Sequence, residues 1–412
     1  MKVKFKKVFR KLLPGIISGG ADNDPAGIST YSIAGAQFGY QQLWLLVLST
    51  PMLIAVQAMC ARLGDVKRKG LMLIIREHFH PYIAISSAII LIVTNIATIG
   101  ADFAGVADVI GLVSDTPYIY WILPVTISVW YIVVFKSYRV IEKYLAMLSF
   151  VFVAYIFSAF LAKPDWGKVF ISLLVPKFPL TINYFIAALG LLGTTITPFL
   201  FFWQTRQEIE EHNSPKELLL KARHVDRNLA PGLIFSSVIS FFIIVSTAAV
   251  FNSNGIFDIN SAADAAKSLE PFAGPMAKYL FSIGIIGAGL LAIPVLAVST
   301  AYVVSETFGW HEGLDQKFAR AKGFYLTITA SLIVGMIIVA TGVDPMKALL
   351  YSQVLSGMLA PFLIIIILLL SNSRKIMGEN KNSKFDNIFG WMTVLVMIAG
   401  SIGFFWQLAF GV

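Results

Sequence analysis

Between Pro14 and Tyr40 the chain runs almost wholly apolar, except where Gly20-Ala-Asp-Asn-Asp-Pro-Ala-Gly27 interrupts it with two carboxylates, a proline and a glycine. At membrane depth a charged side chain costs about 3 kcal/mol or more, so one that persists there usually lines a pathway or a site. Pro25 and Gly27 stop the helix from running through, and irregular backbone at that depth must face protein or a water-filled cavity. An acidic break in a membrane helix reads first as a cation site.

The rest of the chain fits a membrane setting. Of its 412 residues, 57% are hydrophobic and 13% charged, which no soluble domain of this size matches. Apolar runs long enough to cross a bilayer fall at about 14–38, 42–63, 82–112, 118–135, 143–162, 183–205, 230–251, 275–306, 322–341, 345–370 and 388–410. The expected fold is therefore an all-α polytopic membrane protein with eleven transmembrane helices. With Met1–Lys11 read as a cytoplasmic flank, the outer segments hold only Lys163, Lys168, Lys177, Lys267, Lys278 and Lys347 of the 32 Lys and Arg. That asymmetry is the one the positive-inside rule requires. It places the N-terminus in the cytoplasm, the C-terminus outside and the protein in the cell membrane. The net charge of +9 is then read as loops facing an anionic inner leaflet, so lipid rather than nucleic acid is the expected partner. The lone Cys60 excludes a disulfide framework or a thiolate cluster, and no nucleotide loop, zinc-protease motif or nucleophile elbow marks the chain as an enzyme.

The sixth span carries a second break, Gly193-Thr-Thr-Ile-Thr-Pro198. Breaks at matching positions of two halves point to a secondary transporter made of inverted repeats. One transporter domain is expected over 1–412: a flank at 1–13, a first five-helix repeat at 14–162, a second at 183–370 and an extra helix at 388–410. Unwound backbone at Ala21 and Thr194 would turn carbonyl oxygens toward an ion, and half-helix C-terminal ends would add negative dipole character. Asp24 supplies an anionic oxygen, Thr197 a hydroxyl and Gln353 on span 10 an amide oxygen; the alternatives are a helix-break cap for Asp24 and a hydrogen bond to a neighbouring helix for Gln353. Asp22 has three readings: a helix cap, a vestibule carboxylate or an ion-pair partner. Asp102 is read as a pathway acid or a group behind the ligands, the alternative being a structural partner of a backbone amide. Asp108 and Asn95 are read as structural, Gly284 to Gly289 as a close-packing stretch, Glu208, Glu210 and Glu211 as a solvated run, and Phe199–Trp203 as packing or lipid-facing. The histidines His78, His80, His212, His224 and His311 fall in inner loops, and no methionine lies in either break. An all-oxygen donor set suits magnesium, calcium or manganese rather than softer ions.

At these residues the chain resembles the Nramp family of divalent-metal transporters. The matching stretches are Asp24-Pro-Ala-Gly27, Ala34-Gly-Ala-Gln-Phe-Gly39, Ala61-Arg-Leu-Gly64, Asp102-Phe-Ala-Gly105, Thr197-Pro198, Ser352-Gln-Val354 and Pro361-Phe362. The resemblance implies a LeuT-like fold with 5+5 inverted repeats and broken helices 1 and 6. Against the family pattern, Gly27 stands at the asparagine of the first motif and Thr197 and Phe199 at the methionine and histidine of the sixth-span motif. Gln204 replaces a later histidine, and Gly105 replaces a glutamate. These departures are similar to the Nramp-related magnesium transporter branch. They imply a metal site of Asp24, Ala21, Gly27, Thr194, Thr197 and Gln353, with room left for a partly hydrated ion. The expected activity is uptake of Mg2+, with Mn2+ also passing, without proton coupling and without a resident cofactor, by a chain acting as a monomer. The alternative is a proton-coupled Mn2+/Fe2+ symporter of the ordinary Nramp type. An organic-solute transporter on the same fold is the further reading, which the carboxylate beside the first break disfavours.

Overall fold

A computed structural model describes residues 23–135, 149–211, 225–314 and 316–410. The described residues form helices and connecting turns, with no strand. Thirteen of the helices matter here. They are α1 (Pro25–Phe38), α2 (Leu43–Lys67), α3 (Leu71–His78), α4 (Pro81–Ser114), α5 (Ile119–Phe135), α6 (Ala154–Leu161) and α7 (Ile182–Thr195). The others are α8 (Pro198–Glu211), α9 (Val225–Val250), α10 (Ala277–Phe308), α11 (Lys322–Ala340), α12 (Pro345–Asn372) and α13 (Lys384–Phe410). Among the described residues eight helices are long and apolar enough to cross a membrane, and α5 and the stretch Val151–Leu161 are shorter apolar helices. Of the fifth expected span, 143–148 lies outside the described residues. The end of each span that carries the basic loops is called its inner end below, after the orientation expected from the sequence.

Several helices start and stop for reasons visible in the chain. Asp24 caps α1, its Oδ1 accepting from the Gly27 N–H at 2.5 Å, with Pro25 already at the first helical position. Proline is favoured there because its missing N–H would have had no helical partner. Gly39 ends α1 at φ 58°, a left-handed conformation with little penalty for glycine. With 34 residues, α4 is about 51 Å long at 1.5 Å per residue. It therefore outruns a hydrocarbon core of about 30 Å and must tilt or project.

The packing order is what two inverted repeats produce. Helix α1 of span 1 lies against α9 of span 7, and α8 of span 6 lies against α2 of span 2. Exchanging the halves exchanges these two contacts. Spans 3 and 8 (α4 and α10) pack on each other at the centre, with α11 and α12 also against α4. Without a hydrophobic drive between helices in lipid, close approach through small residues carries such contacts. At the α7–α12 crossing, Gly193 meets the Gln353 carbonyl and Gly357 meets the Leu189 carbonyl, so a Cβ at either would collide with backbone. The glycine stretch of α10 works as expected, Gly284 facing Phe152 and Gly289 facing Val106. Helix α13 stays peripheral, with Leu395, Ile402, Phe405, Trp406 and Phe410 exposed as a lipid-facing helix requires. A buried ion pair between Arg62 and Asp386 at 2.9 Å anchors its inner end.

Candidate ion site at the helix breaks

Asp24 and Asp102 meet at one point, the N-terminus of α1. While the Asp24 Oδ1 accepts from Gly27, the Asp102 Oδ1 accepts from the Ala26 N–H at 3.2 Å. First-turn N–H groups of a helix have no helical acceptor and carry positive partial charge, so both carboxylates settle there. Both side chains are buried, and the Asp102 Oδ2 has no hydrogen-bond partner. An unsatisfied buried acceptor costs about 1–3 kcal/mol, more when it is charged, so this oxygen calls for a cation, a proton or water. Asp102 thus touches span 1 directly as the partner of a backbone amide, the alternative reading of this residue, and keeps its second oxygen free of hydrogen bonds.

The second break is shorter than its sequence suggests. Thr194 does not sit in unwound backbone: α7 runs on to Thr195, and the irregular turn is Ile196–Thr197, with Ile196 at φ −119° and ψ 65°. The cause is that a proline disturbs the chain upstream in two ways. It excludes helical conformation mainly at the residue before it, while it withholds an N–H from the carbonyl four residues back. Thr194 is four residues before Pro198, so its carbonyl loses its helical donor although its own backbone stays helical. The Thr194 hydroxyl is also buried without a partner. The same spacing separates Ala21 from Pro25 in the sequence.

Helices α1, α7 and α12 contact one another. The Tyr31 hydroxyl, 3.0 Å from the Thr195 Oγ1, ties the outer part of span 1 to the first half of span 6. Sequence reasoning does not single out either residue. A tyrosine seven residues past Asp24, two helical turns on and so on a similar face, is the available signal. Gln353 is buried and meets span 6 through its carbonyl, against Gly193, while its amide lies 3.5 Å from the Ser352 hydroxyl. Thr197 and Gly27 are buried as well. Ala21 and Asp22 lie outside the described residues, as do His212 and His224.

Other readings resolve by contact. Asp108 accepts from the Ala262 N–H at 3.0 Å. Asn95 donates to the Leu296 carbonyl and to the hydroxyls of Ser299 and Thr300. Both are structural, as the sequence suggested. Phe199 to Trp203 are buried, which decides for packing over lipid contact. Gly105 is enclosed by Pro25 and Leu349, each 3.2 Å from where a Cβ would stand. A side chain here would require Pro25 or Leu349 to give way by a few tenths of an ångström. Among the described residues no group of three or more His, Cys, Asp or Glu gathers. Among the described residues Asp24 and Asp102 are the carboxylates that meet at the first break.

At the outer ends of α1, α7 and α12 lies a cavity of about 160 Å³, lined in part by Gln37, Asn183, Asp258, Asn260, Asp344 and Tyr351. A small pocket below it reaches Pro25, with Asp108 and Met346 on its wall. Toward the inner end, Gly64 lies directly against the Thr205 carbonyl, and span 6 is closed down on span 2.

A family model described as Nramp, natural resistance-associated macrophage protein-like, matches residues 15–407. The chain belongs to the Nramp family. Over 402 residues it is 27% identical to the divalent metal cation transporter MntH of Bacillus subtilis strain 168, spanning 95% of this chain and 91% of MntH. Its structure is similar to that of the Eremococcus coleocola manganese transporter in complex with an aromatic bis-isothiourea substituted compound. There the TM-score is 0.80 at 20% identity, over 97% of this chain and 87% of the other. It is also similar to Mhp1, a nucleobase-cation-symport-1 family transporter, with a TM-score of 0.61 at 13% identity over 95% and 92%. At such identities the likeness establishes the fold: an all-α, LeuT-like arrangement of broken helices.

Proposed function

We propose that this Nramp-family chain moves hard divalent cations across the membrane by alternating access, chiefly Mg2+ with Mn2+ also passing, and without proton coupling. One observation carries the reading. Two buried carboxylates converge on the first helix break, each with one oxygen committed to a helix N–H and the Asp102 Oδ2 left over, with carbonyl, hydroxyl and amide oxygens on the neighbouring α7 and α12. Magnesium prefers oxygen at about 2.0–2.1 Å and keeps several waters. Short groups at Gly27 and Thr197 leave room for them, and the absence of a thioether from the breaks removes the preference for softer ions. Gly105, walled in by Pro25 and Leu349, gives no titratable group beside Asp102. Inward movement then draws on the ion gradient and on the membrane potential, about 2.3 kcal/mol per charge per 100 mV and twice that for a divalent ion.

The runner-up, a proton-coupled Mn2+/Fe2+ symporter, draws support from the manganese transporter of like fold and from Met346, whose side chain lines both outer pockets. Uptake into proteoliposomes separates the two. Under the magnesium reading, millimolar Mg2+ competes with Mn2+ in the native protein. Thr197→Met, which adds a soft donor, shifts preference toward Mn2+ and Cd2+ by about tenfold. Mn2+ uptake indifferent to excess Mg2+ would exclude magnesium as cargo.

A further inference from the structure

Arg206, on the inner half of the broken sixth span, is the hub of a partly buried charge cluster. Its Nε and Nη2 both lie 2.8 Å from the Glu306 Oε1 on α10, it pairs with Glu312 in the loop beyond, and its guanidinium lies 4.7 Å from the Tyr302 ring centre. The seat of Glu306 is itself firmly made. Its Oε2 accepts from the Leu73 N–H at 2.9 Å at the start of α3, and it rests against Gly70, where any side chain would collide with the carboxylate. Arg76 of α3 reaches back to the carbonyls of Glu306 and Thr307 at 2.7 and 3.0 Å. Spans 3 and 8 pack on each other at the centre of the bundle, so Glu306 belongs to the fixed frame. Arg206 belongs to a half-helix joined to the rest of span 6 through the irregular turn at Ile196–Thr197.

One residue before Arg206, α8 lies flush on α2: the Thr205 hydroxyl donates to the Cys60 carbonyl at 3.2 Å, and the Thr205 carbonyl abuts Gly64. Cys60 and Gly64 are four residues apart and share a helix face. The only cysteine in the chain is therefore fully buried beside the seam between these half-spans.

We propose that the Arg206–Glu306 pair is a latch that holds the inner half of span 6 closed over the ion's exit, and that its release opens the seam along which Cys60 lies. The proposal rests on the transport reading, since a latch needs an exit to close. A partly buried pair suits the task. Closed, it is held by a charge-assisted hydrogen bond from Nε and by the close approach of Nη2 to the same oxygen; open, both charges regain water, so the two states differ by a modest free energy.

The test uses the full chain in proteoliposomes, with N-ethylmaleimide and no divalent ion, in a background carrying Ile186→Cys in the outer cavity as a second reporter. Peptide mass spectrometry reads the two thiols separately. Glu306→Gln keeps an acceptor for the Leu73 N–H and removes the charge, and Arg206→Gln removes it from the other side. The latch predicts that both variants label Cys60 about tenfold faster, a shift that loss of a buried charge pair readily supplies. The introduced thiol at position 186 should label more slowly as the outer cavity closes. Unchanged Cys60 labelling, or a rise at both sites as loosened protein would give, overturns it. Because no metal is present, opposite changes at the two thiols in a chain that carries neither Mg2+ nor Mn2+ would leave the two-state seam standing and remove the transport reading.

Discussion

Asp24 and Asp102 both accept from the first turn of α1, and under the proposed function they also bring negative charge to the break. Asparagine separates the two roles, because its side-chain oxygen caps a helix about as well as a carboxylate does. Asp24→Asn should therefore keep the melting temperature within a few degrees while divalent-cation uptake falls by at least about a hundredfold, the loss expected when a buried divalent ion's charged partner is removed. Asp102→Asn should keep its bond to the Ala26 N–H and slow uptake by less. Uptake assays beside thermal unfolding in detergent check both, and near-normal uptake by Asp24→Asn would remove the site. At this scale the sequence marks Asp24 clearly, since an acid beside a proline inside an apolar run is too costly to persist without a role. That Asp102 lies against the Ala26 N–H is not legible there, for the two residues are 76 positions apart and only the packing of span 3 on span 1 joins them.

At the scale of elements, the prolines make the breaks. Pro198 withholds the N–H that the Thr194 carbonyl would receive in a continuous helix, and it keeps Thr197 out of the helical region. Pro198→Ala restores that donor. Its expected effect is an unchanged or higher melting temperature together with uptake lowered by about tenfold or more, because a carbonyl engaged in a helix is lost to the ion. A drop in both would mean that the proline serves packing alone. Sequence reasoning finds both breaks and gives the second too many residues, taking Gly193 to Pro198 as unwound where only Ile196 and Thr197 are. Glycine and threonine in 193–195 look like unravelling, whereas Gly193 is there to let α12 approach and the threonines stay helical. Local propensity cannot distinguish a glycine kept for a turn from one kept for a close crossing.

For the whole molecule, the outer ends of spans 1, 6 and 10 surround a polar cavity while the inner ends of spans 2, 6 and 8 are packed and ion-paired. Under the proposed function, cation entry from outside is driven by gradient and potential and takes no proton with it. In proteoliposomes with a fixed inside-negative potential, metal influx should therefore proceed without acidifying the interior. Uptake should still slow as the outside pH falls, because protons compete with the ion for Asp24 and Asp102; that loss is competition, not coupling. Metal-dependent proton influx of fixed stoichiometry would overturn the proposal and favour the symporter.

The amino-acid sequence by itself determined the membrane class, the positions of the long spans among the described residues and the presence of an interruption before Pro198. Each follows from transfer free energies and proline chemistry that act within about twenty residues. The tertiary structure decided what lies across from what. Asp102 turns to the first break, Tyr31 meets Thr195, Pro25 fills the space beside Gly105, and Arg206 finds Glu306. Such contacts depend on helix rotation and crossing, which small residues distributed over several spans set jointly. No local pattern encodes them.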